Sequence, residues 1–375
     1  MGDPEPKTTG VPISVPYKSF NGRQIFLDIY PPTPFAPGQT APALIFFHGG
    51  GLVVGNRKSW FPTWLQTRMN STGIAFISAD YRLMPQATVH DILKDVKDVF
   101  AFVRDRTGNR PDANHFSVWD IDPAAIGVAG SSGGGILAYL AGTQVSPRPT
   151  VVVSLYGQGA SSFNSHWLEP KKGDTVLGIP RLDKTLYLDY LSQPSWDLPP
   201  PSIYDPTSVN STPKDVVNPR ALLPQLYIQE GVFTDFITGQ HNPSISAKLH
   251  SALANVKEGD EIPNKAVRKI IPWCHRRLFP QLQISASWPP TVIIHGTADI
   301  LVPYSDSQKL IAQLSQQLPP EKVELVGIEG QGHIFDLVSD AEEKFGVEFY
   351  RVAGFIEQWI RVPIKTKDWT SCVIA

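Results

Sequence analysis

Cysteine is nearly absent from this chain: two in 375 residues, Cys274 and Cys372. They lie far apart and in no C-x-x-C spacing, which argues against a disulfide scaffold or a structural zinc site and suits a reducing compartment. Excess charge of either sign is missing too. Lys and Arg total 33 against 35 Asp and Glu, for a formal net charge of -2. With no dense basic cluster, the chain has no electrostatic footprint for a nucleic-acid partner. Nor is there a run of about 20 apolar residues, so no transmembrane segment is expected. The opening Met1-Gly2-Asp3-Pro4-Glu5-Pro6-Lys7 is polar and lacks the apolar stretch of a signal peptide. These absences together lead to the expectation of a cytoplasmic chain. Asn70 and Asn210 each begin an Asn-Ser-Thr triplet, which stays idle without a secretory route.

What is present is a globular composition: 42% hydrophobic and 18% charged residues, enough for a large packed core. The length suits one large domain with an insertion, or two smaller ones. Residues 24–30 alternate like a half-exposed strand. Residues 44–47 and 74–77 are continuous apolar runs, as in strands buried on both faces of a parallel sheet. An amphipathic helix is expected over 88–104, with Val89, Ile92, Leu93, Val96, Val99, Phe100 and Val103 at steps of three and four. Further strands are expected at 126–129, 150–156, 292–295 and 323–326, with helices near 133–142, 305–318 and 341–360. That alternation predicts an α/β fold with a mostly parallel central sheet flanked by helices. Between Gly157 and Pro290 the rhythm breaks over a stretch far too long for an ordinary connection. We therefore expect a hydrolase-like core over 1–157 and 286–375, with an inserted cap at 158–285.

Three motifs carry chemistry. Gly130-Ser131-Ser132-Gly133-Gly134 is a G-x-S-x-G that follows a strand and opens a helix. A sharp strand-to-helix turn needs small neighbours if a serine is to project its hydroxyl outward. His48-Gly49-Gly50-Gly51 follows another strand, where backbone N–H groups free of side chains are suited to stabilising an oxyanion. Asp299 and His333 each lie just past a later strand, in the chain order Ser, Asp, His that such hydrolases use. His333 is the single histidine after Asp299. The expected catalytic residues are thus Ser132 as nucleophile, His333 as base and Asp299 as its orienting acid. Because His333 must start neutral, activity should fall in acid. Gly133-Gly134-Gly135-Ile136-Leu137-Ala138 also matches G-x-G-x-x-A. The next strand ends without an acidic residue to grip a ribose, so no nucleotide cofactor is expected, and no metal.

These residues resemble the hormone-sensitive-lipase-like carboxylesterases of the α/β-hydrolase fold. His48 to Gly51 resembles that family's oxyanion signature. Asp80-Tyr81-Arg82-Leu83-Met84-Pro85 resembles its D-Y-R-L-x-P stretch, and Gly130 to Gly134 its nucleophile elbow. The resemblance implies an oxyanion hole from the N–H groups of Gly50, Gly51 and Gly133, with His48 and the Asp80-Tyr81-Arg82 group as supports. Two departures stand out. Ser131 and Gly133 occupy places where the family usually has an acidic residue and alanine. The family's cap is also usually built from the N-terminal segment, whereas here the later insertion takes much of that role.

The insertion holds Trp167, Tyr187, Tyr190, Trp196, Tyr204, Tyr227, Phe233, Phe236, Trp273 and Phe279. Aromatics over a catalytic edge suggest a pocket for a medium-sized apolar or aromatic ester, or else simply pack the cap onto the core. The same triad serves thioesterases, amidases and acyltransferases, including those of secondary metabolism. A non-catalytic small-molecule receptor on this fold typically lacks a triad member. The last four residues, Cys372-Val373-Ile374-Ala375, satisfy the prenylation pattern, although a chance tail ending is the favoured reading; weak membrane association would follow from modification.

Overall fold

The computed structural model describes residues 11–33, 40–105, 120–188 and 219–362. Ten strands run in chain order as β1 (Ile13–Phe20), β2 (Arg23–Tyr30), β3 (Thr40–Phe47), β4 (Ala75–Ala79), β5 (Asp120–Ser131), β6 (Val152–Leu155), β7 (Thr175–Val176), β8 (Ile179–Pro180), β9 (Thr291–Gly296) and β10 (Val323–Ile328). Eight of them form one sheet in the order β1-β2-β4-β3-β5-β6-β9-β10, while β7 and β8 make a separate small hairpin. Strand β2 is antiparallel to both β1 and β4, and the other neighbours in the sheet are parallel. The expected mostly parallel sheet is the one observed.

The continuous apolar runs follow from burial on both faces. Leu44 and Phe46 of β3 point into one core layer and Ile45 and Phe47 into the other. Helix α2 (Val89–Arg104) buries every one of its predicted apolar positions. Its start is fixed by the Thr88 N–H donating to Asp91 Oδ2 at 3.2 Å, half of a capping box. Helix α3 (Gly133–Gln144) is built of small and apolar residues and is buried for most of its length. At the chain's described end, α10 (Ala341–Ile360) lays Phe345, Phe349, Val352 and Ile356 on the opposite layer.

Helix α1 (Thr63–Ser71) lies between the strands expected at 44–47 and 74–77, where no helix is expected. Its buried face includes Gln66 and Asn70, so no apolar period marks it. Asn70 is buried, and its Nδ2 donates to the carbonyls of Tyr30 at 2.9 Å and Ile74 at 3.0 Å. That amide is engaged in the fold and closed to glycosylation; Asn210 lies outside the described residues.

Between β6 and β9 the described chain adds no strand to the main sheet. It forms the β7–β8 hairpin and the short helices α4 (Ser165–Leu168), α5 (Leu223–Glu230), α6 (Phe233–Thr238), α7 (Ile245–Leu253) and α8 (Asn264–Ile270). Helix α9 (Tyr304–Leu314) then follows β9. At the other end, the described N-terminal residues are taken up by the sheet as β1 and β2.

Candidate active site

In a parallel sheet the carboxyl ends of the strands share one edge. The register aligns Phe47 with Gly130 and Ser131 with Leu155. The loops after β3, β5, β9 and β10 therefore bring the glycine run, Ser132, Asp299 and His333 to that edge. Ser132 sits on the turn from β5 into α3 with φ 49° and ψ −122°. A non-glycine residue there stores roughly 1–3 kcal/mol of strain. Its N–H donates to the Leu155 carbonyl at 3.0 Å, and its own carbonyl accepts from Gln158 N–H at 2.8 Å. The fold thus holds the strained turn from both sides.

The His333 imidazole lies between the other two candidates. Its Nε2 is 2.8 Å from Ser132 Oγ and its Nδ1 is 2.6 Å from Asp299 Oδ2. The acceptor at Nδ1 assigns the ring proton there, leaving Nε2 to accept from the serine hydroxyl. The structure brings all three predicted residues together. Asp299 is buried, and Oδ1 accepts the N–H groups of Leu301 at 2.8 Å and Val302 at 3.0 Å. Burial by itself would raise its carboxyl, but hydrogen bonds from His295 and His333 outweigh that and hold it well below the usual carboxylate range.

A second carboxylate stands behind the imidazole. Asp336 is buried, accepting from Tyr156 Oη at 2.8 Å and Trp64 Nε1 at 3.0 Å. Burial pushes its carboxyl up, and the two donors oppose that rise. The Tyr156 ring lies 4.8 Å from the His333 ring, with Tyr156 itself at φ 42°. Sequence reasoning missed Tyr156, Asp336 and His295: Tyr156 and Asp336 meet from distant parts of the chain, and His295 meets Asp299, Val302 and Ser307 only once the loop after β9 has folded back.

The glycine run also lies at this edge. Gly50 and Gly51 have φ of 91° and 61°, and a Cβ on Gly133 would meet Gly51 N at 2.8 Å. Among the described residues, the N–H groups of Gly50, Gly51 and Gly133 donate to no other group. Around them stand the expected supports. The His48 ring stacks on Tyr81 at 4.3 Å, and Tyr81 Oη donates to the His48 carbonyl at 2.8 Å. Burial pushes the His48 imidazole down to about 4, so it is neutral. Arg57 bridges Asp80 and Asp28, each at 2.7 Å, and Arg82 Nε reaches Asp95 at 2.8 Å. Ser131 is buried at the end of β5.

The insertion reaches this loop directly. Arg220 Nε donates to the Val53 carbonyl at 2.7 Å, and a Cβ on Gly51 would lie 2.5 Å from Pro224 Cγ. Most of the described insertion aromatics pack among themselves. Tyr227 stacks on Phe236 at 3.9 Å, Trp167 meets Phe233 at 5.7 Å, and Phe279 lies 5.2 Å from Phe163. Tyr187 is buried as well, while Trp273 is exposed. Tyr190, Trp196, Tyr204 and the Cys372 to Ala375 tail lie outside the described residues. Among the described residues no group of three or more His, Cys, Asp or Glu could hold a metal ion. No helix among them is long and apolar enough to cross a membrane.

Comparison with known proteins places these features. The BD-FAE family model matches residues 27–156, the span that contains the glycine run and Ser132. Non-reducing polyketide synthase Preu6 of Preussia isomera is 27% identical over 351 residues, covering 88% of this chain but 14% of the synthase. A probable carboxylesterase of Phoma sp. is 35% identical over 102 residues, 26% of this chain and 31% of that protein. The chain thus spans a small part of the curated relatives it matches. The thermophilic esterase Est2 of Thermogutta terrifontis superposes with a TM-score of 0.55 over 97% of both chains at 17% identity, a likeness of fold. The sheet order, the BD-FAE match and these esterase likenesses agree on an α/β-hydrolase fold, consistent with the hormone-sensitive-lipase-like carboxylesterases that the motifs resemble.

Proposed function

We propose that this chain is a serine hydrolase that cleaves a carboxylic ester through an acyl-enzyme on Ser132. The observation that carries the reading is the unbroken chain from Ser132 Oγ through His333 to Asp299, with links of 2.8 and 2.6 Å. His333 Nε2 takes the hydroxyl proton as Oγ attacks the carbonyl carbon. The negative oxygen of the tetrahedral intermediate rests against the N–H groups of Gly50, Gly51 and Gly133. Asp299 keeps the imidazole in the required tautomer and stabilises the imidazolium. As the intermediate collapses, Nε2 returns the proton to the leaving alcohol. A water molecule, deprotonated by the same nitrogen, then releases the acid.

The insertion over 158–285 acts as a cap in this reading. Support comes from Pro224 and Arg220, which seat it beside the glycine loop. The substrate is a medium-sized apolar or aromatic ester. A thioester of a polyketide-type acyl group is the second reading, favoured by the match to polyketide synthases over 88% of this chain.

A p-nitrophenyl ester panel from acetyl to decanoyl, run with N-acetylcysteamine thioesters, separates the two. Ester turnover should exceed thioester turnover. In Ser132→Ala, kcat should drop by about 10^4-fold or more, and fluorophosphonate labelling should vanish. Labelling that persists in Ser132→Ala would reject the nucleophile assignment.

A further inference from the structure

We infer that His295 is a positioning residue for the triad acid, sharing Asp299 Oδ2 with the catalytic imidazole. His295 is the penultimate residue of β9 and is fully buried. Its Nε2 lies 3.0 Å from Asp299 Oδ2 and 2.9 Å from the Val302 carbonyl, both acceptors. Those two partners assign the ring proton to Nε2, so Nδ1 accepts from Ser307 Oγ of α9 at 2.8 Å. The Tyr304 ring stands edge-on at 5.6 Å and 90°. Both nitrogens are partnered and the ring has one orientation.

The consequence falls on Asp299. Its Oδ1 takes two backbone N–H groups and its Oδ2 takes two imidazole N–H groups, so the carboxylate is fixed by four donors. Remove the His295 donor, and Oδ2 keeps a buried lone pair filled by His333 alone. The carboxylate then has freedom to turn away from Nδ1, which lowers the fraction of correctly aligned imidazole. When the ring is protonated, the carboxylate has one donor fewer competing for its charge and holds the imidazolium more tightly. Alignment governs the rate, and charge governs how readily His333 loses its proton. The other titratable or charged groups facing this cluster are Asp336 and Tyr156 behind His333, and His166 of α4, whose Nε2 is 3.0 Å from the Leu301 carbonyl. A change at His295 leaves them in place.

The inference rests on the serine-hydrolase reading, and one experiment tells the two apart. Wild type, His295→Leu and His295→Gln are compared for kcat, KM and the pH dependence of kcat/KM, with fluorophosphonate labelling rate against pH as a second readout. Leucine removes the donor at similar bulk, whereas glutamine carries an N–H near the Nε2 position. The leucine variant should lose about tenfold to a hundredfold in kcat with little change in KM. Its acid limb should move up by about half to one pH unit, and glutamine should restore most of both. A merely structural role lowers the melting temperature of both variants and leaves the acid limb in place; that result, or an unchanged kcat in His295→Leu, overturns the inference alone. Wild type that neither turns over esters nor labels at Ser132 overturns the triad reading and this inference with it. Should the leucine variant not fold, Ser307→Ala carries the test: kcat should fall with KM held, and an unchanged kcat counts against the idea.

Discussion

At the scale of single residues, the site depends on backbone conformations that few side chains permit. Ser132 stands at φ 49° because its N–H is held by the end of β6 and its carbonyl by the loop that follows. Gly51 is different, since at φ 61° with Pro224 directly above it there is neither conformational ease nor room for a methyl group. Alanine at this position must shift either the loop or the insertion, and both movements displace a proposed oxyanion donor. Gly51→Ala should therefore lower kcat by about 100- to 1,000-fold. KM for a small p-nitrophenyl ester should change far less, because the ground-state carbonyl gains little from the donors. Steady-state kinetics decide it, and a kcat within threefold of wild type would remove Gly51 from the oxyanion assignment.

Between elements, the site is assembled by backbone lying on backbone. A Cβ on Gly134 would fall 2.1 Å from the Phe47 carbonyl oxygen and 2.6 Å from that of His48. Neither atom can rotate away, so Gly134→Ala has to push α3 off β3. Overpacking alone costs about 1–3 kcal/mol, and backbone displacement adds to it. Urea unfolding of Gly134→Ala should show a clearly lowered midpoint, or the chain should fail to fold; a wild-type midpoint would contradict the packing. Glycines of this kind were legible in the sequence as the small neighbours of a sharp strand-to-helix turn. So were the doubly buried strands and the amphipathic α2 and α10, whose apolar periods are unbroken. Helix α1 was not legible, because its buried Gln66 and Asn70 bond to their surroundings instead of supplying an apolar stripe. The positions of Ser132, Asp299 and His333 followed from chain order and strand ends. The second histidine on Asp299 did not, because it depends on Ser307 and Val302 meeting one ring in space. The insertion's short helices likewise leave too little periodicity to read.

For the molecule as a whole, the join between insertion and core includes a buried acid. Asp306 of α9 is 1% exposed. Its Oδ1 accepts from Asn164 Nδ2 and its Oδ2 from Trp167 Nε1, each at 2.8 Å, and both donors belong to the insertion. Burial pushes the Asp306 carboxyl up to about 7, against the pull of these donors and Lys309, while Glu261 adds to the rise. An acid with a raised folded-state value binds more protons folded than unfolded between its ordinary range near 4 and about 7. Its contribution to stability is complete below pH 4 and is lost as pH climbs through about 7. At about 1.4 kcal/mol per unit, the loss amounts to a few kcal/mol. Other groups shifted by the fold contribute as well, Asp299 with the opposite sign and Asp336 with the same one, so wild type alone mixes them. Asp306→Asn isolates the contribution of Asp306, since the others cancel in the difference. The variant should be less stable than wild type near pH 4, because the amide turns an NH2 group toward one of the two donors. That gap should narrow by a few kcal/mol as the pH is raised to 8. Urea unfolding at each pH measures it, and a gap that stays constant from pH 4 to 8 would show that Asp306 is ionised throughout and that its two donors outweigh its burial.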